Sequence, residues 1–286
     1  FKYYFIYHSL LLKNMRVNKI INFQELKKSF SKFQKNKPFS HCVIDNFFKT
    51  EYAKKLENEI PKYNENIWHE YNNPIEHKKL TNVWNYFKPL TYQVFLYLNS
   101  YEFTKYLERN LKINKLISDP GLHGGGIHLH KNGGKLNPHL DYFIHPKLNH
   151  IRKLNILIYL SKGWKSTNGG HLGLWKKNKD SSLKLCKEIF PKFNRAVIFD
   201  TSQNSWHGLS RVVKCNKNQH RKHFAVYYLV ENKARVDGRK KALFAPTKDQ
   251  EKNKSVQKLI NIRADEKWEE EKKKIDKKRI EKIKNL

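Results

Sequence analysis

The sequence predicts a mainly β protein with flanking helices, built on a double-sheet jelly-roll core, and three observations predict it. Short apolar runs of strand-like composition recur at 124–130, 152–160, 169–175, 195–199, 206–213 and 221–230. Gly, Asn and Ser turns separate them and no long helical pattern lies between, which argues against βαβ units. The third observation is chemical: His139-Leu140-Asp141 falls inside this series, with His207 on a later strand and Arg221 fourteen residues beyond it. Strand side chains alternate with period two, so a His-x-Asp pair points both groups to one face, where a distant His completes a set of two imidazoles and one carboxylate. Such a set leaves open positions on Fe(II), which suits oxygen chemistry better than a closed structural site.

Ahead of this core, 22–30 reads as a helix and 41–45 as a short strand. Thr50 is placed to cap a helix over 51–60 that Pro61 stops. Pro89 opens a helix to Leu98, tolerated in the first turn where no amide hydrogen is needed, and Ser100 caps a third over 101–111. Thr247 and Gln250 form a capping box at the head of a Lys- and Glu-rich stretch reaching Leu286, expected to be a solvated helix. The organisation read from this pattern is 1–15 as an upstream or fragment end, because Met15 is the only Met, then 16–118 as helical support, 119–232 as the core, and 233–286 as a charged extension.

These residues resemble the prolyl-4-hydroxylase-like family of 2-oxoglutarate and Fe(II)-dependent dioxygenases, over a stretch running roughly from His41 to Val230. The resemblance is carried by Pro138-His139-Leu140-Asp141, by Leu157-Ile158-Tyr159-Leu160-Ser161 with Trp164 and Gly169-Gly170 after it, by Trp206-His207, and by Arg221-Lys222-His223-Phe224-Ala225-Val226-Tyr227-Tyr228. It implies a double-stranded β-helix, with His139, Asp141 and His207 holding iron and Arg221 anchoring the distal carboxylate of 2-oxoglutarate. A guanidinium presents a fixed fork of donors that matches a carboxylate, so the chemistry agrees. Tyr159 is implied as a hydrogen-bond partner of the same cosubstrate, and Asn155 and Leu157 share its face by parity. Two departures stand out. The interval from His207 to Arg221 is longer than in many relatives, which leaves Arg211 as a rival anchor, and His128 or His130 stands where relatives carry a Tyr. The implied cofactors are Fe(II), 2-oxoglutarate and O2, with ascorbate a candidate addition. The implied activity is hydroxylation of a prolyl or other peptidyl residue, with release of succinate and CO2.

Two other readings stay open: a hydroxylase of a small molecule or nucleobase, and a non-catalytic binding protein on the same fold. A contiguous basic groove leading to His139 would mark a nucleic-acid substrate, whereas a cleft rimmed by aromatic side chains would mark a peptide; Trp164, Trp175 and Trp206 are candidates for core or rim. With 286 residues, 38% of them hydrophobic, the chain can bury one sizeable core. Its 58 Lys and Arg against 26 Asp and Glu give a formal charge of +32, which attracts nucleic acid and acidic surfaces. The Lys are spread along the chain and no nucleic-acid-binding motif accompanies them, so nucleic acid is not the favoured partner. Residues 248–286 hold 14 Lys and Arg against 9 Asp and Glu, so most of the excess lies elsewhere. Cys42, Cys186 and Cys215 are odd in number and lack C-x-x-C spacing. They indicate neither a disulfide framework nor a zinc site, and fit a reducing, cytoplasmic compartment. The apolar opening to Leu12 is too short to span a bilayer, so no membrane partner is expected.

Overall fold

The computed structural model describes residues 19–233 and 238–265; the expectations for 1–15 and for the tail after Asp265 lie outside the described residues. In chain order the helices are α1 (Phe23–Phe30), α2 (Thr50–Glu59), α3 (Pro89–Leu98), α4 (Tyr101–Leu111) and α5 (Lys254–Ala264). The first strands are β1 (His41–Ile44), β2 (His69–Asn73), β3 (Glu76–Thr81), β4 (Ile117–Ser118), β5 (Gly126–His130), β6 (Lys135–Leu136) and β7 (His139–Leu140). The rest are β8 (Ile151–Tyr159), β9 (Leu172–Lys177), β10 (Leu183–Ile189), β11 (Ala196–Asp200), β12 (Trp206–Leu209), β13 (Arg221–Val230) and β14 (Leu243–Phe244).

They form two antiparallel sheets. The major one runs β1-β11-β8-β13-β5-β3-β2, with β4 also on β13 and β6 on β3, and the minor one runs β10-β9-β12-β7-β14. The two pack as the jelly roll that the strand series predicts, with flanking helices on one side. The central strands of the major sheet are apolar on both faces because both are covered. Leu154, Ile156, Ile158, Ala196, Ile198, Phe224, Val226 and Tyr228 face the helices, against Leu26, Phe30, Leu56, Leu98, Phe103 and Leu107. Leu157, Tyr159, Val197, Phe199 and Ala225 face inward, against Leu172, Leu174 and Ile189 of the minor sheet. Each such aliphatic or aromatic side chain contributes about 1.5–3 kcal/mol on burial. The helical pairs Leu26 with Phe30 and Phe103 with Leu107 are four residues apart, the spacing that stacks side chains along one helix face.

The caps agree with expectation at Ser100, whose hydroxyl accepts from the Phe103 amide at 3.2 Å, and at Pro89 in the first turn of α3. At α2 the expectation is corrected. Lys49 is the cap residue and Thr50 is already helical, because the Tyr52 and Ala53 amides both bond to the Lys49 carbonyl and close the first turn one residue early. The strand expected over 206–213 ends at Leu209.

Residues 16–118, read as helical support, also supply β1 to β4, and β1 forms one edge of the major sheet by pairing with β11. The capping box at Thr247 and Gln250 heads only a short 3-10 turn over Lys248–Gln250. Asn253 then caps α5, accepting from the Ser255 and Val256 amides. That helix is anchored: Val256 and Ile260 pack with Ile75 and Phe244. β14 pairs with β7, so the C-terminal segment is bound to the strand that bears His139. Among the described residues, no helix is long and apolar enough to cross a membrane.

Gly126 opens β5 at φ +96°, a conformation open to glycine but strained for L side chains, and a Cβ there would run into the Thr81 carbonyl oxygen of β3. Gly126→Ala is expected to destabilise the fold by about 2–3 kcal/mol. Equilibrium urea unfolding measures this as a lower midpoint at unchanged slope.

Candidate metal centre and the cavity behind it

β7 and β12 pair with His139 directly opposite His207, which brings the two rings to 4.3 Å between centroids. Asp141 lies just past the end of β7, yet its Oδ1 is 3.8 Å from His139 Nε2 and its Oδ2 is 3.7 Å from His207 Nε2. The backbone sets both tautomers. His139 Nδ1 is 3.0 Å from the Asn137 carbonyl and His207 Nδ1 is 2.9 Å from the Ser205 carbonyl, and a carbonyl only accepts. Each Nδ1 therefore carries the proton, and each Nε2 lone pair is turned toward the carboxylate. Burial, with His207 beside it, pulls His139 down to about 3, so its ring is neutral. Burial alone would raise Asp141, but the Arg152 guanidinium beside it holds its carboxyl below the usual range and ionised.

This donor set fits Fe(II): two imidazole nitrogens and one carboxylate lie within 4.8 Å of one another, and Asp141 Oδ2 is buried without a hydrogen-bond partner among the described residues.

Arg152 is the residue that holds Asp141. Its Nη1 is 3.3 Å from Asp141 Oδ1, and its Nη2 donates to the His123 carbonyl at 2.7 Å and to the Tyr142 hydroxyl. The guanidinium lies between the rings of Tyr142 and Tyr227, 3.4 Å from each centroid. Flat faces on both sides desolvate the cation favourably, each by about 0.5–2 kcal/mol. Strand parity places Arg152 with Leu154 on the helix side. A register irregularity between Tyr228 and Leu229 of β13 leaves Lys153 as an extra residue in β8 and turns Arg152 inward instead.

A cavity of about 230 Å³ runs back from the triad. Arg221 lines it too, 2% exposed, donating through Nε to the Gly170 carbonyl at 2.7 Å. Gly170 is required there, because a Cβ would meet Arg221 Cδ at 2.6 Å. Of the other cations lining the cavity, Arg152 pairs with Asp141, while Lys78 and Arg263 pair with Glu76. Among the described residues, Arg221 is the lining cation with no carboxylate partner. Arg211 lies outside: its side chain is half exposed and its guanidinium is held on Glu188 at 2.6 Å. Asn155 and Leu157 line the cavity, as parity predicts. Tyr159 is not among the lining residues; its ring packs under Arg221, 4.9 Å from the guanidinium carbon to the centroid, with its buried hydroxyl beside the same side chain. His128 and His130 do line it, joined by His223 from β13.

Another part of the lining is charged in a compensated way. Glu76 of β3 is 3% exposed and meets Lys78 at 3.3 Å and Arg263 of α5 at 2.9 Å. Burial would raise this carboxyl, yet the two cations bring it down to about 2. Phe244 stacks on His139 at 5.1 Å with 19° between planes, and Arg263 sits 4.4 Å over the Phe244 ring. Trp164, Trp175 and Trp206 are all core residues rather than a rim. Arg152, His223, Glu76, Lys78, Phe244 and Arg263 had no signal in a reading by hydrophobic period.

Residues 125–229 match the family described as the 2OG-Fe(II) oxygenase superfamily. No curated protein matches the chain as a sequence relative. Among solved structures, a prolyl hydroxylase from Trichoplax adhaerens, in complex with a hypoxia inducible factor oxygen degradation domain peptide fragment, is similar with a TM-score of 0.52 at 16% identity, over 73% of this chain and 91% of that one. A Pseudomonas putida prolyl-4-hydroxylase is similar with a TM-score of 0.51 at 12% identity, over 72% and 100% of the two chains. At these identities the likeness is one of fold, and the fold is the jelly roll described above.

Two outcomes are expected from these contacts. Arg152→Ala frees the Asp141 carboxylate and weakens metal binding roughly 10–100-fold, read by anaerobic titration with Fe(II) or Co(II), with a melting curve to confirm folding. Glu76 has a depressed folded-state pKa, so its pairing stabilises the fold above its unfolded value of about 4.3 and is lost as pH falls toward 2. Glu76→Gln should cost about 2–3 kcal/mol at pH 7 and flatten the stability profile between about pH 5 and 2. An acid limb unchanged by the substitution would contradict this.

Proposed function

From a chain whose residues 125–229 form a domain of the 2OG-Fe(II) oxygenase superfamily, we propose a hydroxylase of prolyl or other peptidyl residues in which His139, Asp141 and His207 hold Fe(II) and Arg221 anchors 2-oxoglutarate. One observation carries the site assignment: the triad and the single lining cation without a carboxylate partner, among the described residues, line one cavity. A dicarboxylic 2-oxo acid needs both. Arg221 outweighs Arg211 for this role because only Arg221 faces the cavity.

Bound together, Fe(II), 2-oxoglutarate and O2 supply the oxidising power that inserts oxygen into a substrate C–H bond, with release of succinate and CO2. The chain's own residues position and shield that chemistry. His139 and His207 offer Nε2 in fixed tautomers, Arg152 keeps Asp141 ionised and in place, and Arg221, gripped by Gly170, sets the orientation of the cosubstrate. Leu157, Leu172, Ala225 and Phe244 line the walls and keep water from the reacting centre.

The peptidyl substrate rests on the two structural neighbours, both prolyl hydroxylases and one in complex with a peptide fragment. It also rests on lining cations, Lys78 and Arg263, that are paired with Glu76 rather than gathered into a basic groove. Among the described residues, all three cysteines are free, which fits a reducing, cytoplasmic location.

Anaerobic addition of Fe(II) and 2-oxoglutarate tests the core of the reading. A visible metal-to-cosubstrate charge-transfer band should appear, vanish in His139→Ala, and need at least tenfold more 2-oxoglutarate in Arg221→Ala. Succinate release in air should then rise with proline-containing peptides and not with free proline or nucleosides. No band in the unmodified protein would leave a binding protein on this fold.

A further inference from the structure

Around Arg221 the cavity is lined by more than that one side chain. His128 and His130 of β5 pair across the strands with His223 and Arg221 of β13, so all four side chains share one face of the major sheet. The rings gather closely: His128 and His223 are 4.8 Å apart between centroids, and His130 and His223 are 5.8 Å apart and nearly parallel. All three are at least nine-tenths buried, and His128 Nε2 and both ring nitrogens of His130 have no hydrogen-bond partner among the described residues. A buried nitrogen that bonds to nothing keeps its full desolvation cost, so three together in a cavity mark a place built for a polar ligand. Burial first, and then the nearby Arg221 and Lys78 charges, keep all three imidazoles neutral. Each therefore carries one N–H donor. In His223 the donor can be named. Its Nδ1 is 3.0 Å from Arg221 Nη1, and a guanidinium only donates, so Nδ1 accepts and Nε2 bears the proton.

We propose that His130 and His223, walled by His128, donate with Arg221 to the distal carboxylate of the cosubstrate, in the place the sequence resemblance assigned to Tyr159. This rests on the functional reading above. Tyr159 is not among the lining residues, whereas His130, His223 and Arg221 all line the cavity with a donor to offer; His128 gives its one N–H to the Gly125 backbone and packs beside His223 as a wall. Neutral donors suit the task, because they add hydrogen bonds to an anion without placing further positive charge against Arg221.

The test is an anaerobic titration of the Fe(II)-loaded full chain, read by the charge-transfer band, with 2-oxoglutarate and with 2-oxobutyrate, which lacks the distal carboxylate. His130→Leu and His223→Leu should each weaken 2-oxoglutarate about tenfold or more, since hydrogen bonds to charged groups contribute about 1.5–3 kcal/mol. They should leave 2-oxobutyrate within about twofold, which also shows that the variants fold. His130→Gln and His223→Gln, which keep a donor, should recover part of the affinity. Equal losses for both acids would make the histidines scaffold and overturn the proposal, as would unchanged 2-oxoglutarate affinity. No band with either acid in the unmodified protein would overturn the functional reading itself, and this proposal with it.

Discussion

Strand β13 lies between β5 and β8, and its register determines what the cavity contains. Arg221 sits opposite His130, His223 opposite His128 and Tyr159, Ala225 opposite Leu157, and Tyr227 opposite Asn155. A slip of one residue would turn Lys222, Phe224, Val226 and Tyr228 toward the cavity and drive Arg221 into the helix-side core. The lock against that slip is on the other face. Phe224 packs on Phe95 of α3 at 5.0 Å, and the Tyr228 hydroxyl donates to the Leu98 carbonyl at the end of that helix. Apolar packing far from any chemistry thus decides which polar groups meet inside.

Charge is the second constraint, because a cavity this closed tolerates ions only when they are paired. Asp141 has Arg152, and Glu76 has Lys78 and Arg263. The desolvation of Arg152 is offset further by the two tyrosine faces and by the His123 carbonyl. Arg221 breaks the pattern: it is as deeply buried as Arg152 but bonds to a carbonyl and an imidazole. A buried guanidinium with neutral partners carries a standing cost that a carboxylate ligand would relieve, which is the physical reason an anion belongs beside it.

How much of this could be read from the sequence depended on whether a residue's role followed its strand parity. The jelly-roll strands were legible because a short apolar run bounded by turn residues buries itself best as a core strand, and His139, Asp141 and His207 stood out as polar groups among such runs. Arg152 was hidden by the extra residue at Lys153, which reverses the side that parity assigns. The β2–β3 hairpin was hidden because β3 buries Glu76 through ion pairs rather than through apolar side chains, so no hydrophobic alternation marked it. β10 was hidden for the opposite reason, its exposed Lys-rich residues reading as loop. The capping residues showed both outcomes: Ser100 could be read directly, whereas the start at Lys49 depended on backbone bonds that no side chain announces.

The stretch that matches the superfamily, 125–229, holds the triad, Arg152, Arg221 and the three histidines. Another part of the lining comes from elsewhere: Glu76 and Lys78 precede that stretch, and Phe244 and Arg263 follow it. The two parts of the lining are therefore encoded in different parts of the chain. They are joined at two contacts, the pairing of β14 with β7, which stacks Phe244 on His139, and the Arg263–Glu76 ion pair, which ties α5 to β3. The flanking elements could therefore vary while the Arg221 side of the cavity stays as it is. Under the proposed function, that separation lets the reaction class be inferred from the shared stretch, while substrate selection is sought in residues 69–81 and 242–263.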